Sequence, residues 1–167
     1  MRPMTLCALA LVLAAPLAPV AQAATPKTTT VIANGVAGPT ADVDGFKIDF
    51  KATKKGSKVG GTFSGTLQGG SSGFATPEVF TITGPVTCLQ VVGRTQAGIL
   101  YPVSKVTSQG QAFTQGEPLS ILLTVVKGLN GAPNKVGFMG PLPTQAFMGS
   151  CAPGMAPLNL EGTVRIS

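Results

Sequence analysis

The chain contains no histidine and no tryptophan, and Tyr101 is its one tyrosine. Without histidine, Ser-His and Cys-His nucleophile pairs and histidine metal ligands are impossible, which excludes most hydrolases and the common zinc centres. A Gly-x-Ser-x-Gly match at 69–73 therefore has no base partner, and its position between strands predicts a flexible loop. The scarcity of tryptophan and tyrosine also argues against a surface that stacks on sugar rings.

Charged residues are scarce as well, at 11% of the chain, and only six of them are acidic. A glycoside hydrolase needs two carboxylates across a cleft, and a calcium loop gathers three or more. The acids here are scattered beside turns, on polar strand faces and next to prolines, which predicts solvated charges: Asp42, Asp44, Asp49, Glu78, Glu117 and Glu161. We expect no enzymatic activity, no metal and no cofactor, although an enzyme using only serine, lysine or carboxylates stays open.

The first 23 residues have the layout of a secretory signal peptide. Arg2 is followed by an apolar run at 6–15 and by Ala21-Gln22-Ala23, a small-x-small cleavage signal. The apolar run is shorter than the roughly 20 residues that span a bilayer. We expect a protein that is secreted or associated with the cell envelope, with no transmembrane segment after cleavage.

Removal of residues 1–23 leaves about 144 residues, a common size for one domain. Residues 24–41 are rich in Thr, Ala, Gly and Pro, and only Val31 and Ile32 resemble core residues. We interpret this stretch as a flexible lead-in or a short edge strand. Residues 42–167 are then expected to form a single β domain.

Cleavage would also remove Cys7 and leave Cys88 and Cys151. An even number of cysteines in an oxidising compartment predicts that these two form a disulfide, with two buried free thiols as the alternative. Such a bond closes a loop of about 63 residues, for which the chain-entropy relation gives about 4 kcal/mol of stabilisation.

Alternation of apolar and polar residues is the dominant pattern of the mature chain. It runs through 46–52, resumes at 59–67 after a lysine-rich turn, and predicts a hairpin with a basic tip. Further strands are predicted at 79–83, 86–92, 97–103, 119–126, 136–139 and 158–166, of which 119–126 is apolar on both faces and therefore the most buried. No segment has a helical period, so we predict an all-β fold, an antiparallel sandwich or small barrel of about eight strands.

A basic patch is the clearest candidate binding feature, formed on and around the first hairpin by Lys47, Lys51, Lys54, Lys55 and Lys58. An exported protein could use it against an anionic cell-surface polymer or lipid headgroups. The alternative is that the lysines protect an edge hairpin from pairing with other chains. Nucleic acid is not expected, because the aromatic residues Phe46 and Phe50 alternate to the opposite face.

A second candidate feature is an apolar pocket inside the sheet. Small barrels can hold one apolar molecule, and these residues could line such a site or fill an ordinary core: Phe63, Phe80, Phe113, Phe138, Phe147, Met139 and Met148.

Three segments carry a resemblance to a known group of proteins. They are Val86-Thr87-Cys88-Leu89-Gln90-Val91-Val92-Gly93, then Gly140-Pro141-Leu142-Pro143 shortly before Cys151, and a leucine-rich closing strand. Together with the hairpin at 46–67 they resemble exported actinobacterial β-rich proteins of uncharacterised function. The resemblance implies that the two cysteines pair, and it implies no activity. Related sequences carry an acidic loop after the buried strand, whereas residues 129–134 here have no acid.

These observations predict a non-enzymatic exported β domain that acts by binding or as a component of the envelope. One alternative is a lipocalin-like carrier of an apolar ligand. Another is a secreted protease inhibitor that presents residues 140–157 as a rigid loop.

Overall fold

A computed structural model of the protein describes residues 27–38, 43–69, 79–108, 111–113 and 118–167. The predicted signal peptide, most of the 69–73 loop and three of the acids, Asp42, Glu78 and Glu117, lie outside these ranges. The described part of the chain is all-β apart from one 3-10 turn, Thr144–Phe147. No described helix is long and apolar enough to cross a bilayer.

The described strands number eleven, so the predicted eight is wrong. Their bounds are β1 Thr28–Ala37, β2 Val43–Lys55, β3 Lys58–Gly69, β4 Val79–Pro85, β5 Cys88–Val92, β6 Gln96–Pro102, β7 Lys105–Ser108, β8 Gln111–Phe113, β9 Leu119–Val126, β10 Asn134–Pro143 and β11 Leu158–Ile166. All belong to one antiparallel sheet with the order β5-β6-β9-β10-β11-β1-β2-β3-β4-β7-β8. The sheet curls into a half-barrel around its apolar face.

Strand β1 corrects the prediction of a flexible lead-in at 24–41. It lies in the interior of the sheet, paired with β2 on one side and with β11 on the other. Val31, Ala33 and Ala37 point into the core and are fully buried. The sequence pattern is weak because alanine contributes little to hydrophobic periodicity, yet a small side chain is what the crowded concave face accepts.

The predicted hairpin with a basic tip is confirmed as β2 and β3. Phe50 and Phe63 face each other in register and both are buried, while Lys51 on the opposite face is exposed. The strand faces therefore follow the alternation of the sequence. The hairpin is not at an edge, however, because β2 also pairs with β1 and β3 also pairs with β4.

A sharp corner joins the two flanks of the curled sheet. β4 pairs with β3 and β7, whereas β5 pairs with β6, so the chain changes partners at residues 86–87. Val86 N–H donates to Gly61 O at 2.9 Å, and the next residue, Thr87, donates its N–H to Leu100 O at 2.9 Å. The same change of partners occurs where the chain returns at residues 103–104. Val103 N–H donates to Leu119 O of one flank, and Ser104 N–H donates to Thr83 O of the other. The chain therefore crosses between the two flanks at residues 86–87 and again at 103–104.

Tyr101 occupies the middle of the core and none of its surface is exposed. Its ring stacks on Phe63, with centroids 3.8 Å apart and planes tilted by 19°. Tyr101 lies on β6 and Phe63 on β3, so the stack joins facing flanks of the half-barrel. The Tyr101 hydroxyl has no hydrogen-bond partner in the structure.

The segment at 144–157 covers the outer face of β6, β9 and β10. Gly98, Thr124 and Gly137 lie in one row across these strands, and the chain from Cys151 to Ala156 runs over the row. Thr124 Oγ1 accepts a hydrogen bond from Gly154 N–H at 2.8 Å. β9 is therefore buried on both faces, as its apolar sequence predicts.

The predicted disulfide between Cys88 and Cys151 is present and fixes this segment to β5. Buried Cys151 packs with Leu100, Leu122 and Phe147 in a small apolar cluster outside the main core. A segment dense in glycine and proline thereby gains an apolar anchor of its own.

Candidate functional sites

An apolar cavity opens at the end of the half-barrel where β1 finishes and β2 begins. Its volume is about 350 Å³. The walls are hydrocarbon side chains contributed by strands from both flanks: Phe46, Leu67, Ile82, Ile121, Phe138 and Leu158. Except for the buried Ile121, these side chains are only half-buried, because no atom of the described residues fills the space between them.

The cavity exists because β11 begins later than its neighbour. Its first residue, Leu158, pairs with Val136, so β10 continues past this point without a β11 partner. Phe138 then meets Phe46 of β2 edge to face, with ring centroids 4.4 Å apart and planes at 84°. This contact joins strands that are separated by two others in the sheet order and forms one wall of the cavity.

Tyr101 forms the floor of the cavity. Burial raises the pKa of the Tyr101 phenol above its usual value, because the phenolate would lose its hydration in the core. The group therefore stays neutral over the physiological range and adds no charge to the site. Among the described residues that line the cavity, none carries a charged side chain.

The residues predicted for an apolar pocket are divided among several places. Phe138 lines the cavity, Phe63 belongs to the main core, and Phe147 packs beside the disulfide. Met139 and Met148 are exposed instead, Met148 to 90%. The side chains of Phe80 and Phe113 lie outside the part of the structure that is described.

Four of the five lysines of the predicted basic patch share the convex face of the hairpin formed by β2 and β3, and only Lys54 points the other way. Lys47 and Lys51 project from the convex face of β2, where Lys51 stands opposite Ile32 and Thr62. Lys55 and Lys58 pair with each other across the hairpin tip. Protection of an edge is wrong as an explanation for them, because β2 and β3 are both interior strands.

Lys54 alone turns toward a different part of the molecule. Its Nζ donates to the backbone oxygen of Leu89 on β5, at 3.4 Å. It therefore lines a groove between β1, β2 and β5 that the sequence pattern did not indicate, since the two strand ends meet only through the curl of the sheet. Two further cationic residues, Lys27 and Arg94, line the adjoining hollow. They are far apart in sequence and belong to no motif.

The segment at 140–157 is held against the sheet over much of its length. Cys151 contacts Gly98, Met155 contacts Gly137, and Gly154 N–H donates to Thr124 Oγ1. The middle of the segment is therefore a layer that covers the sheet. Met148 protrudes from a left-handed backbone conformation, with φ 45° and ψ 36°. No described feature favours the protease-inhibitor alternative, which stays a prediction.

The other acids and possible metal ligands add no further site. Asp49 lies in mid-strand opposite Asn34 and Ser64, and Glu161 lies opposite Val36. Among the residues that the structure describes, no three histidine, cysteine or acidic side chains come together as a metal site would require. Comparison with models of protein families, with curated proteins and with solved structures finds no match to this chain.

Proposed function

We propose that this protein is an exported, non-enzymatic binding domain that holds a small apolar molecule in the cavity above Tyr101. The observation that carries the proposal is an unfilled space of about 350 Å³ with hydrocarbon walls. Protein interiors are normally packed as densely as organic crystals, and small-molecule sites begin at about 300 Å³. The space therefore has the size and the chemistry of a ligand site.

The lining also limits the kind of ligand. With a neutral floor and apolar walls, the site offers no counter-ion to a charged group held in its interior. At about 30 Å³ for each CH₂-sized group, the cavity accommodates about a dozen such groups. A medium-length aliphatic chain fits, and a polar end group would remain at the open mouth.

Export is part of the same proposal. Disulfides persist outside the cytoplasm, so the bond between Cys88 and Cys151 supports a secreted or envelope-associated location. The resemblance to exported actinobacterial β-rich proteins also supports export, and a common ancestry with them is part of the proposal.

Binding is tested with decanol and decanoate by calorimetry and by the shift in melting temperature. A ligand at a hundred times its Kd stabilises the folded state by about 2.7 kcal/mol. The variant Ile82→Phe places a ring in the cavity, and we expect it to weaken binding of both probes by about tenfold or more.

The matched control is Ile32→Phe, the same exchange on the convex face of β1. It should leave affinity for the probes unchanged. Equal affinity in the two variants, or no binding of either probe to the folded wild-type protein, would contradict the proposal.

A further inference from the structure

A second concave surface lies at the other end of the strands that hold the cavity. Two adjoining hollows of about 400 and 240 Å³ share Thr29 and Val91 and form one groove between the start of β1 and the end of β5. Thr29 lies at the start of β1 and the cavity residue Ala37 at its end, so the two are about 26 Å apart at the rise per residue of a strand. The groove is thus independent of the apolar cavity.

Cationic side chains line this groove on several sides. Lys27 precedes β1, Lys54 is at the end of β2, and Arg94 is in the turn after β5. The hydrogen bond from Lys54 Nζ to Leu89 O holds that ammonium group at the groove wall. Charges from three separate parts of the chain therefore lie along one groove, Lys27 and Arg94 in its larger hollow and Lys54 in the smaller one.

The remaining lining is suited to hydrogen bonding. Thr29 and Gln90 present neutral polar side chains, and no aspartate or glutamate is among the lining residues. Ser167 also lines the groove, and its main-chain oxygen already accepts a hydrogen bond from Thr30 N–H at 2.8 Å. The hairpin tip with Lys55 and Lys58 adjoins Lys54 and adds to the positive potential.

The described acidic side chains lie elsewhere on the molecule. Glu161 is opposite Val36, near the cavity end of β1, and Asp49 is in the middle of β2. The groove end of the half-barrel thus carries clustered cations without a facing acidic side chain among the residues that line it. Such clustering attracts anions.

We propose that this groove binds a linear polyanion, a polymer with repeated phosphate or carboxylate groups. Several cations spaced along a hollow match several anionic groups in a row, whereas one small anion would meet only part of the set. The concave shape favours a single polymer strand over a lipid bilayer, because a flat membrane cannot enter a hollow of this volume. The polymer would keep the exported protein at the cell surface and leave the apolar cavity free.

The probes are inorganic polyphosphate and polygalacturonate, and their binding to the full-length mature protein is measured at low and at physiological salt. The groove variant Lys54→Gln/Arg94→Gln removes two lining charges. We expect it to weaken binding by about tenfold or more, because each of these cations can donate charge-assisted hydrogen bonds to the anionic groups of the polymer.

The matched control is Lys47→Gln/Lys51→Gln, which removes the same charge from the convex face of β2. It should weaken binding by less than about threefold, the effect of net charge alone. Equal losses in the two variants would overturn the proposal, because they would show attraction to net charge without a site. Arg94→Gln alone keeps the bond of Lys54 to Leu89 and serves if the double variant fails to fold.

Vesicles of phosphatidylglycerol distinguish the membrane from the polymer. We expect weak vesicle binding that the groove variant and the control variant reduce equally. Tight vesicle binding that depends on Lys54 and Arg94, or no binding of either polymer, would overturn the assignment.

Discussion

The backbone oxygen of Cys151 occupies the space that a side chain at Gly98 would need. The contact exists because the disulfide-anchored segment crosses the outer face of β6 directly above this glycine. A β-sheet normally keeps side chains between itself and a covering segment, whereas here backbone lies on backbone. The small residues of the row allow the covering segment to approach.

Gly98→Ala should therefore destabilise the protein by about 1–3 kcal/mol, the usual cost of overpacking. The control is Gly60→Ala, because a Cβ at Gly60 would meet no atom within 4 Å. Urea denaturation of both variants gives the comparison. A loss at Gly98 no greater than at Gly60 would show that the covering segment moves away freely.

Loss of the disulfide should remove about 4 kcal/mol, given its sequence separation of 63 residues. The variant Cys88→Ala/Cys151→Ala tests this without leaving a reactive thiol from the pair. Chemical denaturation of the variant and of the oxidised wild type gives the difference. A loss below about 1 kcal/mol would mean that Leu122 and Phe147 hold the segment without the bond.

Tyr101→Phe should keep or raise stability, by up to about 1 kcal/mol, because it removes a buried hydroxyl that has no hydrogen-bond partner among the described residues. The stack on Phe63 is retained in the variant. Thr124→Val is the contrasting change, since it deprives Gly154 N–H of its acceptor and should cost about 1–3 kcal/mol. A marked loss in Tyr101→Phe would reveal a bound water or ligand at the hydroxyl.

Alkaline pH should unfold the protein partly through Tyr101. Burial raises the pKa of the folded phenol, while the unfolded phenol titrates near pH 10. Stability from the neutral phenol is therefore fully present below about pH 10 and is lost as the pH rises above it. The chain has one tyrosine, so phenolate absorbance reports this residue alone.

In the native protein, phenolate absorbance should appear only together with unfolding, whereas in urea it should appear near pH 10. The Tyr101→Phe variant should lose less stability than wild type over the same alkaline range. Phenolate that forms while the fold is intact would contradict the burial of the hydroxyl.

Much of the fold follows from local pattern. The hairpin of β2 and β3, the doubly buried β9 and the closing β11 all have strong alternation or continuous apolar runs, and their predictions are confirmed. The disulfide between Cys88 and Cys151 is confirmed as well, although its prediction came from cysteine number and expected export and not from alternation.

The missed features depend on tertiary context. β1 is recognisable only when Ala33 and Ala37 are known to face a crowded core, and the bends at 86–87 and 103–104 arise from a change of partners. The candidate sites are even harder to predict from the sequence. The cavity depends on the late start of β11, and Lys27, Lys54 and Arg94 converge only when the sheet curls.

The first described strand and the last one are hydrogen-bonded neighbours, from Val31 opposite Ile166 to Ala37 opposite Leu160. This seam joins the flank that ends at β5 to the flank that ends at β8 through strands from opposite ends of the described chain. Contacts between residues so distant in sequence form slowly. We therefore expect the seam between β1 and β11 to form late in folding.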